Sequence, residues 1–254
     1  MSPVVPRPAV SAPASLRAPA EPPSQSPVLL VEDPTLLDLA VPGHASAVVS
    51  VPPEVGSRRP VLVATHGAGG TPEAHCSFWQ ALVGGTAFVL CPRGVTMDVY
   101  APPSERGYFY PAHPALGREV RAALDALAAR FPDRVDREGA VYAGYSQGAT
   151  MGALVFAGEP APFIAAVLIE GGVEEWTLRR ARAFKERGGQ RVLFACGRQS
   201  CADAARRAAG VLEQAGVPSR IVDATGAGHT YGGRVREGVR AALPFVFGGD
   251  PRWR

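Results

Sequence analysis

Two residues far apart in the chain have the chemistry of a nucleophile and its base. Residues 141–150 read VYAGYSQGAT, and Ser146 lies between Gly144 and Gly148. A small-apolar strand enters this stretch and helix-compatible residues leave it. A strand-to-helix turn that exposes a side chain at its tip forces that residue into an unusual backbone conformation. Bulk two residues to either side would collide where the two backbones converge, and the glycines remove it. The pattern is the G-x-S-x-G nucleophile elbow in its required context. The helix that starts after Ser146 favours negative charge developing at its N-terminus.

A serine hydroxyl is a poor nucleophile until a neighbouring imidazole takes its proton. His229, in the glycine-flanked stretch GAGHTY that follows the last strand, is the expected base. His44, His75 and His113 sit in earlier segments and are expected at the surface. The third role, an acid that orients the imidazole, falls between the serine and the histidine in chain order. Three carboxylates stand near strand ends there: Glu170, Asp203 and Asp223. Asp203 is favoured because it follows the strand RVLFACG, although its loop, GRQSCAD, is long. Glu170, which ends LIEGG, is next, and Asp223 reads as a cap or surface residue.

Upstream, HGAGG (His66–Gly70) closes a buried strand. A glycine-rich turn there leaves amide N–H groups pointing outward. The amides of Gln147 and Ala68 are assigned to an oxyanion hole, with Gly67 the close alternative. Losing one such donor costs about 3 kcal/mol of transition-state stabilisation. The plainer reading of HGAGG is a tight turn. His66 is expected to be structural.

The elements that must position these residues alternate. Strands are predicted at 36–41, 46–52, 60–67, 86–92, 139–146, 162–172, 190–197 and 219–225. Helices are predicted at 71–82, 117–131, from 147 onward, and at 175–188, 202–215 and 233–247. Residues 92–114 read as a long loop. In the 117–131 helix Val120, Leu124, Leu127 and Phe131 fall on one face, and Pro132 stops it. Such alternation gives an α/β fold with a mostly parallel central sheet and helices on both faces. The spacing between the strands near 170 and 191 leaves no room for a cap domain. The organisation expected is a disordered Pro/Ala/Ser-rich leader over 1–27 and one domain over 28–254.

The net charge of +3 is spread out. No basic run or aromatic–basic interleaving points to nucleic acid. No apolar stretch approaches the roughly 20 residues of a membrane span. Cys76 and Cys91, and Cys196 and Cys201, form two local pairs, and three pairings are possible. The local one closes short loops and implies an oxidising compartment, periplasmic or secreted. Four free thiols in a cytosolic chain is the alternative. No signal-peptide core follows Met1, which fits the first case only if an export signal has been removed. A zinc site is disfavoured by the spacing.

Together GYSQGA, the upstream HGAGG and the downstream GHTY resemble the α/β-hydrolase superfamily. The closest likeness is to its lidless esterases: carboxylesterases and phospholipases, acyl-protein thioesterases and dienelactone hydrolases. The paired cysteines are similar to those of secreted polymer- or feruloyl-esterases. The resemblance covers about 45–248. It implies a Ser146–Asp203–His229 triad without metal or organic cofactor, acting on a small-molecule ester or thioester as a monomer. The acid loop departs from the family's short G-x-x-D, which keeps Glu170 open as the acid. A serine peptidase of the same fold and a non-catalytic binding protein of that fold are the competing readings. In the 92–114 loop Arg93, Tyr100, Arg106, Tyr108 and Tyr110 are available to hold an aromatic or acidic acyl group or simply to pack the loop onto the domain. The substrate-binding residues are not legible.

Overall fold

The run Val61–Thr65 is apolar or small at every position, and all of it is buried. A strand with no polar face must be covered on both sides. Its side chains alternate accordingly: Val61 and Val63 join one apolar core, Leu62 and Ala64 the other. The computed structural model describes residues 1, 36–53, 58–158 and 163–253. The chain divides into two units, the second of which is Asp33–Arg254. Apart from Met1, the leader expected over 1–27 lies outside the described residues.

Within the second unit the elements run β1 (Leu36–Leu39), β2 (Ala47–Ser50), β3 (Val61–Thr65), α1 (Pro72–Val83), β4 (Phe88–Cys91), β5 (Val95–Thr96), β6 (Tyr108–Phe109) and α2 (His113–Arg130). They continue as β7 (Ala140–Tyr145), α3 (Gln147–Gly158), β8 (Phe163–Ile169), α4 (Leu178–Glu186), β9 (Arg191–Cys196), α5 (Gln199–Gln214), β10 (Ser219–Asp223) and α6 (Gly233–Phe247). Eight strands form one sheet in the order β1-β2-β4-β3-β7-β8-β9-β10. β1 and β2 are antiparallel to their neighbours, and the pairs from β4 to β10 are parallel.

Helices cover both faces. α2, α3, α4 and α5 supply Leu124, Ala153, Phe184 and Leu212 to one core, and α1 and α6 supply Trp79 and Val239 to the other. β8 and α4 are joined by 170–177 alone, which is too short for a cap.

Two expectations change in detail. α2 begins at His113 rather than 117, because Pro114 serves as a first-turn residue and not as a breaker. α5 begins at Gln199 rather than 202, which matters for the acid. The 92–114 loop also holds a short antiparallel ribbon, β5 with β6.

Candidate active site

The carboxyl ends of β3, β7, β8 and β9 and the loop after β10 converge, as ligand sites do in open parallel sheets. Ser146 follows β7 directly with φ 50°, one of two non-glycine residues with positive φ among the described residues; the other is Glu170 at 54°. Such conformations cost energy and persist only where the surroundings enforce them.

The enforcement at the elbow is visible. A Cβ on Gly144 would lie 2.6 Å from the amide nitrogen of Ala149, and one on Gly148 2.6 Å from Thr65 Oγ1 and 2.7 Å from His66 O. The amide of Ser146 donates to Ile169 O (2.8 Å) and that of Gly148 to His66 O (3.1 Å). Beneath the turn, Tyr142 Oη lies 2.8 Å from Gly148 O and 2.6 Å from Thr65 Oγ1. The elbow is thus bonded to the strand on each side of β7.

His229 Nε2 lies 2.9 Å from Ser146 Oγ, and its Nδ1 lies 2.9 Å from Oε2 of Glu170. The Glu170 side chain is fully buried. Its Oε1 accepts the amides of Gly197 and Arg198, and its Oε2 accepts Arg198 Nε at 2.6 Å. Burial, the largest influence, pushes this carboxyl up. The hydrogen bonds from His229, Arg198 and Gly197 outweigh it and hold the pKa below the usual glutamate value. An ionised carboxylate only accepts, so Nδ1 carries the proton and Nε2 is free to accept the serine hydroxyl.

Gly197 links Glu170 to the His229 loop: its amide serves Glu170, and its carbonyl accepts the amides of Gly226 (2.9 Å) and Gly228 (3.1 Å). Tyr145 donates its hydroxyl to His229 O at 2.9 Å, and its ring lies 5.2 Å from the imidazole. Tyr231 and Phe78 continue that aromatic wall.

Asp203, the favoured acid of the sequence reading, is elsewhere. α5 starts at Gln199, so Asp203 sits one turn into it, half-exposed, accepting from Gln199 Nε2 (2.9 Å) and Arg206 Nη1 (2.6 Å). The carboxylate on His229 is Glu170, one strand earlier. Asp223 caps its own turn through Thr225 and pairs with Arg206.

In the HGAGG turn, Gly69 N donates to Tyr108 O and Gly70 N to Gly67 O. The amides of Ala68 and Gln147 have no protein acceptor among the described residues. Gly67 abuts the elbow: a Cβ there would lie 3.2 Å from Ser146 Cβ.

His66 is buried, with Nδ1 2.8 Å from Gly67 O and Nε2 3.0 Å from Arg93 O, and stacks on Tyr110. His75, expected at the surface, is buried in α1, where it accepts from Trp79 Nε1 at 3.2 Å. Burial drives its pKa to about 3, so it stays neutral. Arg93 is committed to Glu73 (2.7 Å), Asp38 (3.0 Å) and Ser46 O. Arg106 braces its own loop through Ala101 O, and Tyr110 is buried against Pro92 O. Trp176 packs on Phe156 and Phe184 and donates to Gly172 O. These side chains brace loops, and Arg93 and Arg106 also line a cleft with Tyr108 and Glu119.

The sequence reading missed Arg198 and Tyr145. An arginine next to the glycine after β9 was a usable signal for the first; nothing local marked the second.

Disulfides join Cys76 to Cys91 and Cys196 to Cys201. A carboxylate oxygen of Glu170 and the sulfurs of Cys196 and Cys201 lie within 4.8 Å of one another. Sulfurs bonded to each other are not thiolate donors, so this group does not make a metal site.

The sequence matches no family model, and a search of curated proteins finds no similar one. The fold does have relatives among solved structures. Esterase PE8 superposes with a TM-score of 0.60 at 17% identity, covering 83% of this chain and 100% of its own. A thermostable esterase gives 0.56 at 19%, covering 84% and 62%. Acylaminoacyl peptidase from Pyrococcus horikoshii gives 0.58 at 14%; 84% of this chain corresponds to 40% of that one. The chain has the α/β-hydrolase fold.

Proposed function

We propose that this protein is a serine hydrolase that cleaves carboxylic ester or thioester bonds through an acyl-enzyme, with Ser146, His229 and Glu170 as its triad. The observation that carries the reading is the unbroken relay of two 2.9 Å contacts from Ser146 Oγ through His229 to the buried Glu170 carboxylate.

Ser146 attacks the acyl carbonyl while His229 Nε2 takes its proton. Glu170 fixes the tautomer and stabilises the imidazolium that forms. The amides of Gln147 and Ala68, without acceptors among the described residues, stabilise the oxyanion. His229 then protonates the leaving alcohol or thiol. Water, deprotonated by the same imidazole, releases the acyl group and restores the serine.

The esterase neighbours support this reading at the level of scaffold. The two disulfides support work in an oxidising compartment, and no helix among the described residues is long and apolar enough to cross a membrane.

Reaction with a fluorophosphonate probe and turnover of p-nitrophenyl esters test the reading together. Both are expected in the wild type and absent in Ser146→Ala, which should melt within a few degrees of the wild type. Activity retained in Ser146→Ala would overturn the assignment.

A further inference from the structure

Apart from Met1, the large apolar side chains that stand exposed among the described residues fall in one stretch: Val95 (45%), Met97 (59%), Val99 (62%) and Tyr100 (94%). Apolar residues exposed singly are ordinary. A contiguous group marks a contact site.

This group is held in place. Asp98 Oδ1 accepts the amide of Tyr100 at 2.8 Å, Thr96 Oγ1 donates to Asp98 O, and Arg106 Nε donates to Ala101 O. These polar groups bind the loop's own backbone, and the apolar side chains between them stay exposed.

The ribbon beneath is fastened to the HGAGG turn. Gly69 N donates to Tyr108 O, Tyr108 N to Gly70 O, and Met97 N to Gly107 O, each at 2.9 Å. A Cβ on Gly69 would lie 3.9 Å from the Met97 sulfur. A Cβ on Gly67, two residues before Gly69, would lie 3.2 Å from Ser146 Cβ, so the turn that carries the ribbon adjoins the serine.

We infer that Met97, Val99 and Tyr100 form the docking surface for the acyl chain of the substrate, and that this protein prefers esters of medium or long aliphatic acids. The inference rests on the hydrolase reading above and names its substrate class. The acyl side is assigned from the mechanism. The leaving group must face His229, whose neighbours Tyr145, Tyr231 and Phe78 pack on the α1–α6 core, whereas the ribbon is anchored through Tyr110 in the opposite core. An acyl chain running from Ser146 past the HGAGG turn meets Met97 first and Tyr100 beyond it. Laying methylenes on this surface raises kcat/KM by up to about fourfold each.

The test is kcat/KM for p-nitrophenyl acetate, butyrate, hexanoate and octanoate, in the wild type and in Met97→Ser/Tyr100→Ser. The wild-type octanoate-to-acetate ratio should exceed about tenfold, and the double variant should reduce that ratio at least fivefold. Both side chains are exposed, so the variant should keep its melting temperature. A flat wild-type profile, or a ratio the double variant leaves unchanged, overturns the inference while the hydrolase reading stands. A dimer in size-exclusion chromatography that the variant dissociates, with the profile unmoved, would assign the patch to contact between copies. A wild type that neither hydrolyses any of these esters nor reacts with a fluorophosphonate sinks the hydrolase reading, and this inference with it.

Discussion

Arg198 sets its Nε 2.6 Å from Oε2 of Glu170, the same oxygen that lies 2.9 Å from Nδ1 of His229. The guanidinium thus serves the acid on one side as the imidazole does on the other. A charge-assisted hydrogen bond of this kind contributes about 1.5–3 kcal/mol. Arg198 is half-exposed, and screening reduces that to about 1 kcal/mol. Arg198→Ala is therefore expected to lower kcat about fivefold. KM should stay within twofold, since the side chain addresses Glu170. Arg198→Lys keeps a charge without the planar fork and should fall between the two. A rise in KM with kcat intact would mean that the guanidinium acts on substrate instead.

The identity of the acid is open to a direct comparison. In Glu170→Gln an amide replaces the acceptor of the Nδ1 proton, and the wrong tautomer presents a hydrogen to the serine. Loss of the triad acid in this way lowers kcat by roughly 10⁴. Asp203→Asn removes only a half-exposed pairing with Arg206, worth about 0–1 kcal/mol of stability, and should change kcat less than twofold. Steady-state rates of the two variants, measured side by side, decide the matter. The opposite ranking would return the role to Asp203.

The lowered pKa of Glu170 has a consequence for stability. Its carboxyl binds protons less readily folded than unfolded, so the unfolded chain holds more protons in the window between the two values. Stability from this group is complete above the ordinary glutamate value of about 4.5. It is lost as pH falls through the depressed folded value. Melting curves from pH 6 to pH 3 should show a decline that is shallower in Glu170→Gln than in the wild type. Parallel curves would mean that the clamp on the carboxylate does not favour its ionised form.

Much of this arrangement was legible because it is written in local chemistry. Gly144 and Gly148 announce the elbow, since no side chain fits against Ala149 N or Thr65 Oγ1. The unbroken apolar run at Val61–Ala64 announces a strand covered on both faces. His229 is legible from its glycine-flanked loop after the last strand. The carboxylate beside His229 was legible only as the second choice, Glu170 after Asp203, because that ranking turns on where α5 begins. Three residues separate the expected start from Gln199, and they move Asp203 from the mouth of the helix to one turn inside it. Glu170 depends on a positive φ and on a clamp from residues 27 and 28 positions away. Nothing in LIEGG reports such distant partners. The ribbon of β5 and β6 escaped because two-residue strands leave no periodicity to read.

The two disulfides should divide between stability and catalysis. Cys76–Cys91 ties α1 to β4, away from the acid clamp, and spans 15 residues. Closing a loop of that length contributes about 3 kcal/mol. Cys76→Ser/Cys91→Ser should therefore lower the melting temperature by roughly 6–12 °C and leave kcat within twofold. Cys196–Cys201 spans only 5 residues, and its entropic contribution is about 2 kcal/mol. Yet the loop it closes contains Gly197 and Arg198, whose amides and side chain hold Glu170, and Gly197 also carries the histidine loop. A dithiol delivers two electrons and two protons and leaves two thiols, freeing that loop. Misplacing a catalytic group by an ångström costs up to about 10²-fold. Cys196→Ser/Cys201→Ser, or reduction of this bond, should lower kcat by about threefold to 10²-fold with KM little changed, for a smaller loss of melting temperature than in the other pair. Equal kinetic losses in the two double variants would show that the loop keeps its shape without the bond, and that Glu170 is held by the β8–β9 pairing alone.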